Sequence, residues 1–151
     1  MYHYGNGVNK DYNQALNYYQ KVIEQKTSNP LQTGLALLNM GTIYQYGEGF
    51  EENSNQALDL YEKSCDADLG MGCNNAGSIY LQKGNYTKAA NLFKKGCTLE
   101  LGWGACSNMA FMYYDGIGVN KNITLATGYF DKACKLGHQD SCDNYRALLN
   151  Y

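Results

Sequence analysis

Small residues and aromatics recur three residues apart along this chain, and glycine turns interrupt the helical stretches that carry them. Gly41 and Tyr44, Gly77 and Tyr80, and Ala110 and Tyr113 each fall on one helix face. The small residue sits where two helices approach, and the ring fills the space beside that contact. A second kind of stretch repeats the logic around Ala15, Ala57, Ala89 and Ala126, followed by Tyr18-Tyr19, Tyr61, Phe93 and Tyr129-Phe130.

Aligned with itself, the chain shows one unit several times over. Asn39-Met40-Gly41-Thr42-Ile43-Tyr44 superimposes on Asn75-Ala76-Gly77-Ser78-Ile79-Tyr80, Asn108-Met109-Ala110-Phe111-Met112-Tyr113 and Asn144-Tyr145-Arg146-Ala147-Leu148-Leu149. The steps between the asparagines are 36, 33 and 36 residues. Gly5-Asn6-Gly7-Val8, Gly47-Glu48-Gly49-Phe50, Gly84-Asn85-Tyr86 and Gly116-Ile117-Gly118-Val119 lead into the second stretches. Each unit therefore predicts a helix A, a glycine turn, a helix B and a short turn into the next helix A. Such a unit cannot bury its apolar face alone, so the expected fold is all-α, an α-solenoid of stacked antiparallel helix pairs forming one domain over 1–151. The expected units are 1–34, 35–70, 71–103 and 104–139, with a partial unit at 140–151.

The third A–B turn differs. Tyr80 to Ala89 spans nine residues, where Tyr44 to Ala57 and Tyr113 to Ala126 span thirteen, so a tighter turn is expected there. Met1-Tyr2 aligns with Met112-Tyr113, and 140–151 reads as a helix A with no helix B after it. Exposed half-units at both ends point to a piece of a longer protein, or to end-to-end self-association.

Composition narrows the partners. The formal net charge is −2, with both signs mixed along the chain, so no basic stripe offers a surface for nucleic acid. No apolar run reaches the length of a membrane span, and no membrane insertion is expected. The start, Met1-Tyr2-His3-Tyr4-Gly5, is polar and carries no secretory signal, so the signal of an exported protein would lie outside this numbering.

The combination of Asn-x-Gly-x-x-Tyr, G-x-G-V, and alanine followed by an aromatic pair resembles the Sel-one-like repeat, a relative of the tetratricopeptide repeat. The cysteine near the end of helix B, matched by one early in the next helix A, is similar to the Helicobacter-type cysteine-rich protein family. The resemblance covers nearly the whole chain. It implies an adaptor or scaffold that binds a protein or extended peptide. Some cysteine-rich members are penicillin-binding or weakly β-lactamase-like, which gives an alternative function on cell-wall-related compounds. The family's usual location implies a periplasmic or secreted protein.

The six cysteines form the pairs Cys65/Cys73, Cys97/Cys106 and Cys134/Cys142, eight or nine residues apart across a tight turn. Antiparallel helices joined so closely bring Cα atoms within bridging distance. Three disulfides are expected, and with them an oxidising compartment and about 2–3 kcal/mol of stabilisation per bridge. Zinc is an alternative, but two isolated cysteines per joint do not supply its four ligands. Buried free thiols are the other alternative. At the first joint the aligned positions hold Ile23 and Leu37, an apolar pair in place of a bridge.

Candidate chemistry is sparse. A serine β-lactamase needs S-x-x-K, S-D-N and K-T-G; no S-x-x-K occurs, and Lys26-Thr27-Ser28 is only a partial echo of the third motif. The two histidines, His3 and His138, lie in different units, so no metal ligand set and no cofactor are expected, and His138 reads as a solvated loop residue. No catalytic residue is assigned. The sharper candidate is the column Asn39, Asn75, Asn108 and Asn144 on helix A. Amides there can donate to and accept from the backbone of an extended peptide on a concave helix-A surface. They can equally bond the neighbouring helix as a ladder internal to the repeat. Tyr46, Met71, Phe111 and Tyr114 are the nearby candidates for apolar contact with a partner.

Overall fold

The computed structural model describes residues 12–25, 27–46 and 53–150. Among them eight α-helices follow in order: α1 (Tyr12–Glu24), α2 (Pro30–Tyr46), α3 (Ser54–Asp66), α4 (Gly70–Gln82), α5 (Tyr86–Gly96), α6 (Trp103–Asp115), α7 (Ile123–Lys135) and α8 (Gln139–Leu149). The even-numbered helices are the A helices and the odd-numbered ones the B helices. Each packs on its neighbours in sequence. The A helix α4 also packs on α6 and touches α2, whereas no two B helices meet to that extent. The fold is an all-α solenoid. Among the described residues no helix is long and apolar enough to cross a membrane.

The spacing of small and aromatic residues explains why A and B helices pair. A Cβ added to Gly41 would come within 2.7 Å of the Tyr61 ring, and one on Gly77 within 2.7 Å of the Phe93 ring. In the following unit Ala110 and Phe130 occupy the aligned positions, both buried. Ala57, Ala89 and Ala126 are fully buried on the B side. Closing each such contact removes an aromatic ring from water, worth roughly 1.5–3 kcal/mol.

Every described A–B turn uses the same two anchors. The backbone N–H of Asn53, Asn85 and Asn122 donates to the carbonyl of Tyr44, Tyr80 and Tyr113 at 3.0, 2.9 and 2.8 Å. Each asparagine then caps its B helix, its Oδ1 accepting from the N–H of Gln56, Lys88 or Leu125. The four-residue shortening in the third turn falls between these anchors and leaves both in place. Gly84 and Gly116, near the ends of α4 and α6, take φ of 75° and 76°, a left-handed geometry that a Cβ would strain. Gly5-Asn6-Gly7-Val8 and Gly47-Glu48-Gly49-Phe50 lie outside the described residues. Asn122→Ala removes one cap, and the expected loss is about 1 kcal/mol, read as a lowered denaturation midpoint. An unchanged midpoint would mean that the cap adds nothing to the stack.

The joint from α1 to α2 runs from the end of α1 at Glu24 to Pro30, and the expected unit boundary at 34/35 falls inside α2. Asn29 and Gln32 explain why. The Asn29 Oδ1 accepts from the Gln32 N–H at 2.8 Å, and the Gln32 Oε1 accepts from the Asn29 N–H at 3.3 Å. That reciprocal capping box, with Pro30 at the first helical position, starts the helix early. Leu37 is buried and Ile23 half-buried at this unbridged joint.

At the other joints the chain reverses through a left-handed residue. It is Asp68 (φ 62°) three residues after Cys65, and Gly137 (φ 97°) three after Cys134. Between Cys97 and Cys106 the spacing is nine instead of eight, and the left-handed position moves to Leu101 (φ 52°). A leucine there is strained by roughly 1–2 kcal/mol.

Candidate functional site

Three disulfides close the B–A joints: Cys65–Cys73, Cys97–Cys106 and Cys134–Cys142, with Cα separations of 4.5, 4.5 and 4.6 Å. All six cysteines are paired. They are staples within the stack.

Asn39, Asn75, Asn108 and Asn144 stand on α2, α4, α6 and α8, and all four are half-buried. In the central units they join an internal chain of polar groups. The Asn108 Nδ2 donates to the Asn74 Oδ1 at 2.7 Å, and the Asn74 Nδ2 reaches the Asn75 Oδ1 at a long 3.5 Å. Further along, the Tyr61 hydroxyl donates to the Gln45 Oε1 at 2.6 Å and lies 3.3 Å from the Thr42 Oγ1. Burial pushes the Tyr61 pKa up, while hydrogen bonds from Thr42 and Asn75 pull against it. In the middle of the column Asn108 is thus tied to the preceding unit through Asn74. The ends of the column differ: neither the Asn39 nor the Asn144 side chain hydrogen-bonds a described residue, and each lines a hollow.

Comparing equivalent positions explains the difference. In one unit Thr42, Gln45, Tyr61 and Asn75 close on one another through the Tyr61 hydroxyl. Two units later the same four positions hold Phe111, Tyr114, Phe130 and Asn144. Phe130 has no hydroxyl to tie them, and Phe111 meets it edge-on at 5.0 Å. The result is a hollow of about 220 Å³ lined by these four residues with Ala147 and Leu148. Its rim is apolar and open, with Phe111 44% and Tyr114 41% exposed. The Lys121 Nζ lies 5.6 Å from the Tyr114 ring centroid.

Two further hollows lie along the A helices. One of about 280 Å³ sits between α1 and α2 and includes Tyr18, Tyr19, Leu35 and Asn39. Another of about 190 Å³ lies between α4 and α6, lined by Met71, Asn74, Asn75, Leu101, Trp103 and Gly104. Met71 lines this hollow and also packs against the core cluster of Leu38, Ala57 and Tyr61. Tyr46 is highly exposed at the end of α2 but lines none of the three hollows.

Two features of the structure were not among the sequence expectations. The repeated capping asparagines were legible as Asn53, Asn85 and Asn122 preceding α3, α5 and α7, with Asp11 at the aligned position before α1. The Trp103–His138 stack, with centroids 4.6 Å apart and planes at 14°, joins positions in different units and had no local signature. His138, expected in solvent, is half-buried, with its Nδ1 2.7 Å from the Ser141 Oγ. His3 and Lys26 lie outside the described residues. Among the described residues no three metal-ligating side chains cluster.

The Sel1 repeat family model matches residues 1–26, 34–69 and 103–138, and a tetratricopeptide repeat model matches 73–97. No curated protein sequence matches the chain significantly. Among solved structures, a Sel1 repeat protein from Oxalobacter formigenes superimposes with a TM-score of 0.77 at 21% identity, over 96% of this chain and 58% of that one. A protective antigen of uropathogenic Escherichia coli with an SLR fold gives 0.78 at 24%, over 95% of this chain and 30% of that one. The chain thus spans well under two thirds of both proteins. Helicobacter pylori cysteine rich protein B gives 0.66 at 30% identity, over 92% of this chain and 98% of that one. With the helix pairs, the close-packed small residues and the matched repeats together, the chain belongs to the Sel1 repeat family.

Proposed function

We propose that the protein is a non-enzymatic scaffold that holds an extended peptide or protein segment along the concave side of its A helices. Repeats of this kind mediate protein interactions. The observation that carries the reading is the hollow where exposed Phe111 and Tyr114 meet the Asn144 amide, which has no hydrogen-bond partner among the described residues. Aromatic side chains beside an amide that can both donate and accept suit a peptide, whose backbone needs the amide and whose side chains need the rings. The closer contact of A helices with one another supports placing the concave side there. Three disulfides support an oxidising compartment, periplasmic or extracellular.

The geometry favours this over an activity on penicillin-like compounds. Such an activity calls for a nucleophile with a base in reach, and none of the three hollows brings serine and lysine together. All three are also smaller than the roughly 300 Å³ at which small-molecule pockets begin. The test is a triple variant, Phe111→Ala, Tyr114→Ala and Asn144→Ala, assayed on an array of extended peptides. Peptides held by the parent protein are expected to bind at least about tenfold more weakly, with an unchanged helical spectrum. A folded triple variant that keeps full affinity sinks the groove.

A further inference from the structure

The smallest hollow differs from the others because of one residue. The ninth residue of the Cys97–Cys106 spacing moves the left-handed turn to Leu101 and leaves that side chain 48% exposed beside Trp103. Trp103 has its indole stacked against His138 and keeps 38% of its surface in solvent. Met71 completes an apolar frame around the Asn74 and Asn75 amides. The turn carrying Asp68 is tied to the turn carrying Glu100, because the Gly70 N–H donates to the Glu100 carbonyl at 2.8 Å. Asp68 and Glu100 are both exposed, and neither forms an ion pair with a described residue. Asp140, in the first turn of α8 beside His138, is likewise unpaired. Of the lysines in the last turns of α5 and α7, Lys95 pairs with Asp66 at 2.8 Å and Lys135 with Asp131 at 2.6 Å, whereas Lys94 and Lys132 form no ion pair with a described residue.

An exposed indole next to two joined turns that carry the unpaired carboxylates of Asp68 and Glu100 suits a cationic partner group. A cation is drawn by the carboxylates and by the ring face, and a long aliphatic stem covers the leucine and methionine. A hollow of about 190 Å³ has room for one such side chain and too little for a drug-sized molecule. We infer that the hollow framed by Met71, Leu101 and Trp103 takes an arginine or lysine side chain from the bound segment. The inference rests on the helix-A face being the partner surface, and it adds a charge preference to that reading.

Trp103 is the single tryptophan of the chain, so its emission reports occupancy of this hollow. The probes are blocked peptides in a glycine-serine background with one leucine, differing only in whether the residue before it is arginine, leucine or glutamate. The arginine peptide is expected to shift the emission saturably and to bind about tenfold tighter than the glutamate peptide. In the surface variant Asp68→Asn with Glu100→Gln, that preference should fall to about threefold. Leucine or glutamate peptides that bind as well as the arginine peptide overturn the inference, as does a preference untouched by the double variant. Charge-blind binding that still needs Phe111, Tyr114 and Asn144 overturns this inference alone. If none of the peptides binds, both readings fall.

Discussion

Phe93→Ala is expected to lower the free energy of unfolding by about 3–5 kcal/mol, the range for a large ring removed from a closed core. Phe93 is fully buried and belongs to a cluster with Ala89, Cys97, Met109 and Met112. Its ring rests on Gly77, which has no side chain to move into the space. The neighbouring alanines are equally short, so the site collapses poorly and the cavity penalty stays near its full value. Phe130→Ala provides the comparison. That ring is also buried, yet it borders the open hollow beside Asn144, so part of its surroundings is already unpacked. Its loss should fall toward the lower end of the same range. Chemical denaturation of both variants gives the answer. A Phe93→Ala loss below about 1 kcal/mol would contradict the close packing against Gly77.

Reducing the three disulfides should cost about 7.5 kcal/mol in total, half or more of what holds a typical domain together. Each bridge closes a loop of eight or nine residues, and the chain-entropy model gives about 2.5 kcal/mol for loops of that size. In a linear stack, units touch only their neighbours, so the loss is also local. Cys134 is half-buried, whereas Cys65, Cys73, Cys97 and Cys106 are almost wholly enclosed. Under limiting reductant the Cys134–Cys142 bridge should therefore open first and loosen α7 from α8. Melting with and without reductant, followed by thiol mapping, checks both points. An unchanged melting temperature in protein shown to be fully reduced would remove the staples from the account of stability.

The stack was legible because its determinants recur. Gly41, Gly77 and Ala110 mark the same close approach, and each cysteine pair marks the same joint, so one misread position could not hide the pattern. Individual positions were harder. Asn29 and Gln32 gave no sign of a helix start, because a capping box depends on two reciprocal hydrogen bonds, while the sequence shows only two polar residues three apart. The asparagine column was found, but its division into a bonded middle and unbonded ends was not. That division depends on residues one or two units away: Asn74 holds Asn108, Tyr61 engages Asn75, and Phe130 leaves Asn144 alone. Long-range partners of this kind have no local signal. Leu101 is the converse case, since its extra residue was visible in the nine-residue spacing while the direction of its side chain was not.

The asparagine anchors at the A–B turns separate the length of the turn from the geometry of the stack. Because Asn85 holds Tyr80 across a turn four residues shorter than the one between Tyr113 and Asn122, this edge tolerates deletion without a change of register. Lengthening is similarly cheap, since doubling a flexible loop adds only about 0.6 kcal/mol of closure entropy. The turn edge is therefore a row of interchangeable sockets. Foreign segments can be spliced between tyrosine and asparagine, unit by unit, while the helices beneath keep their spacing.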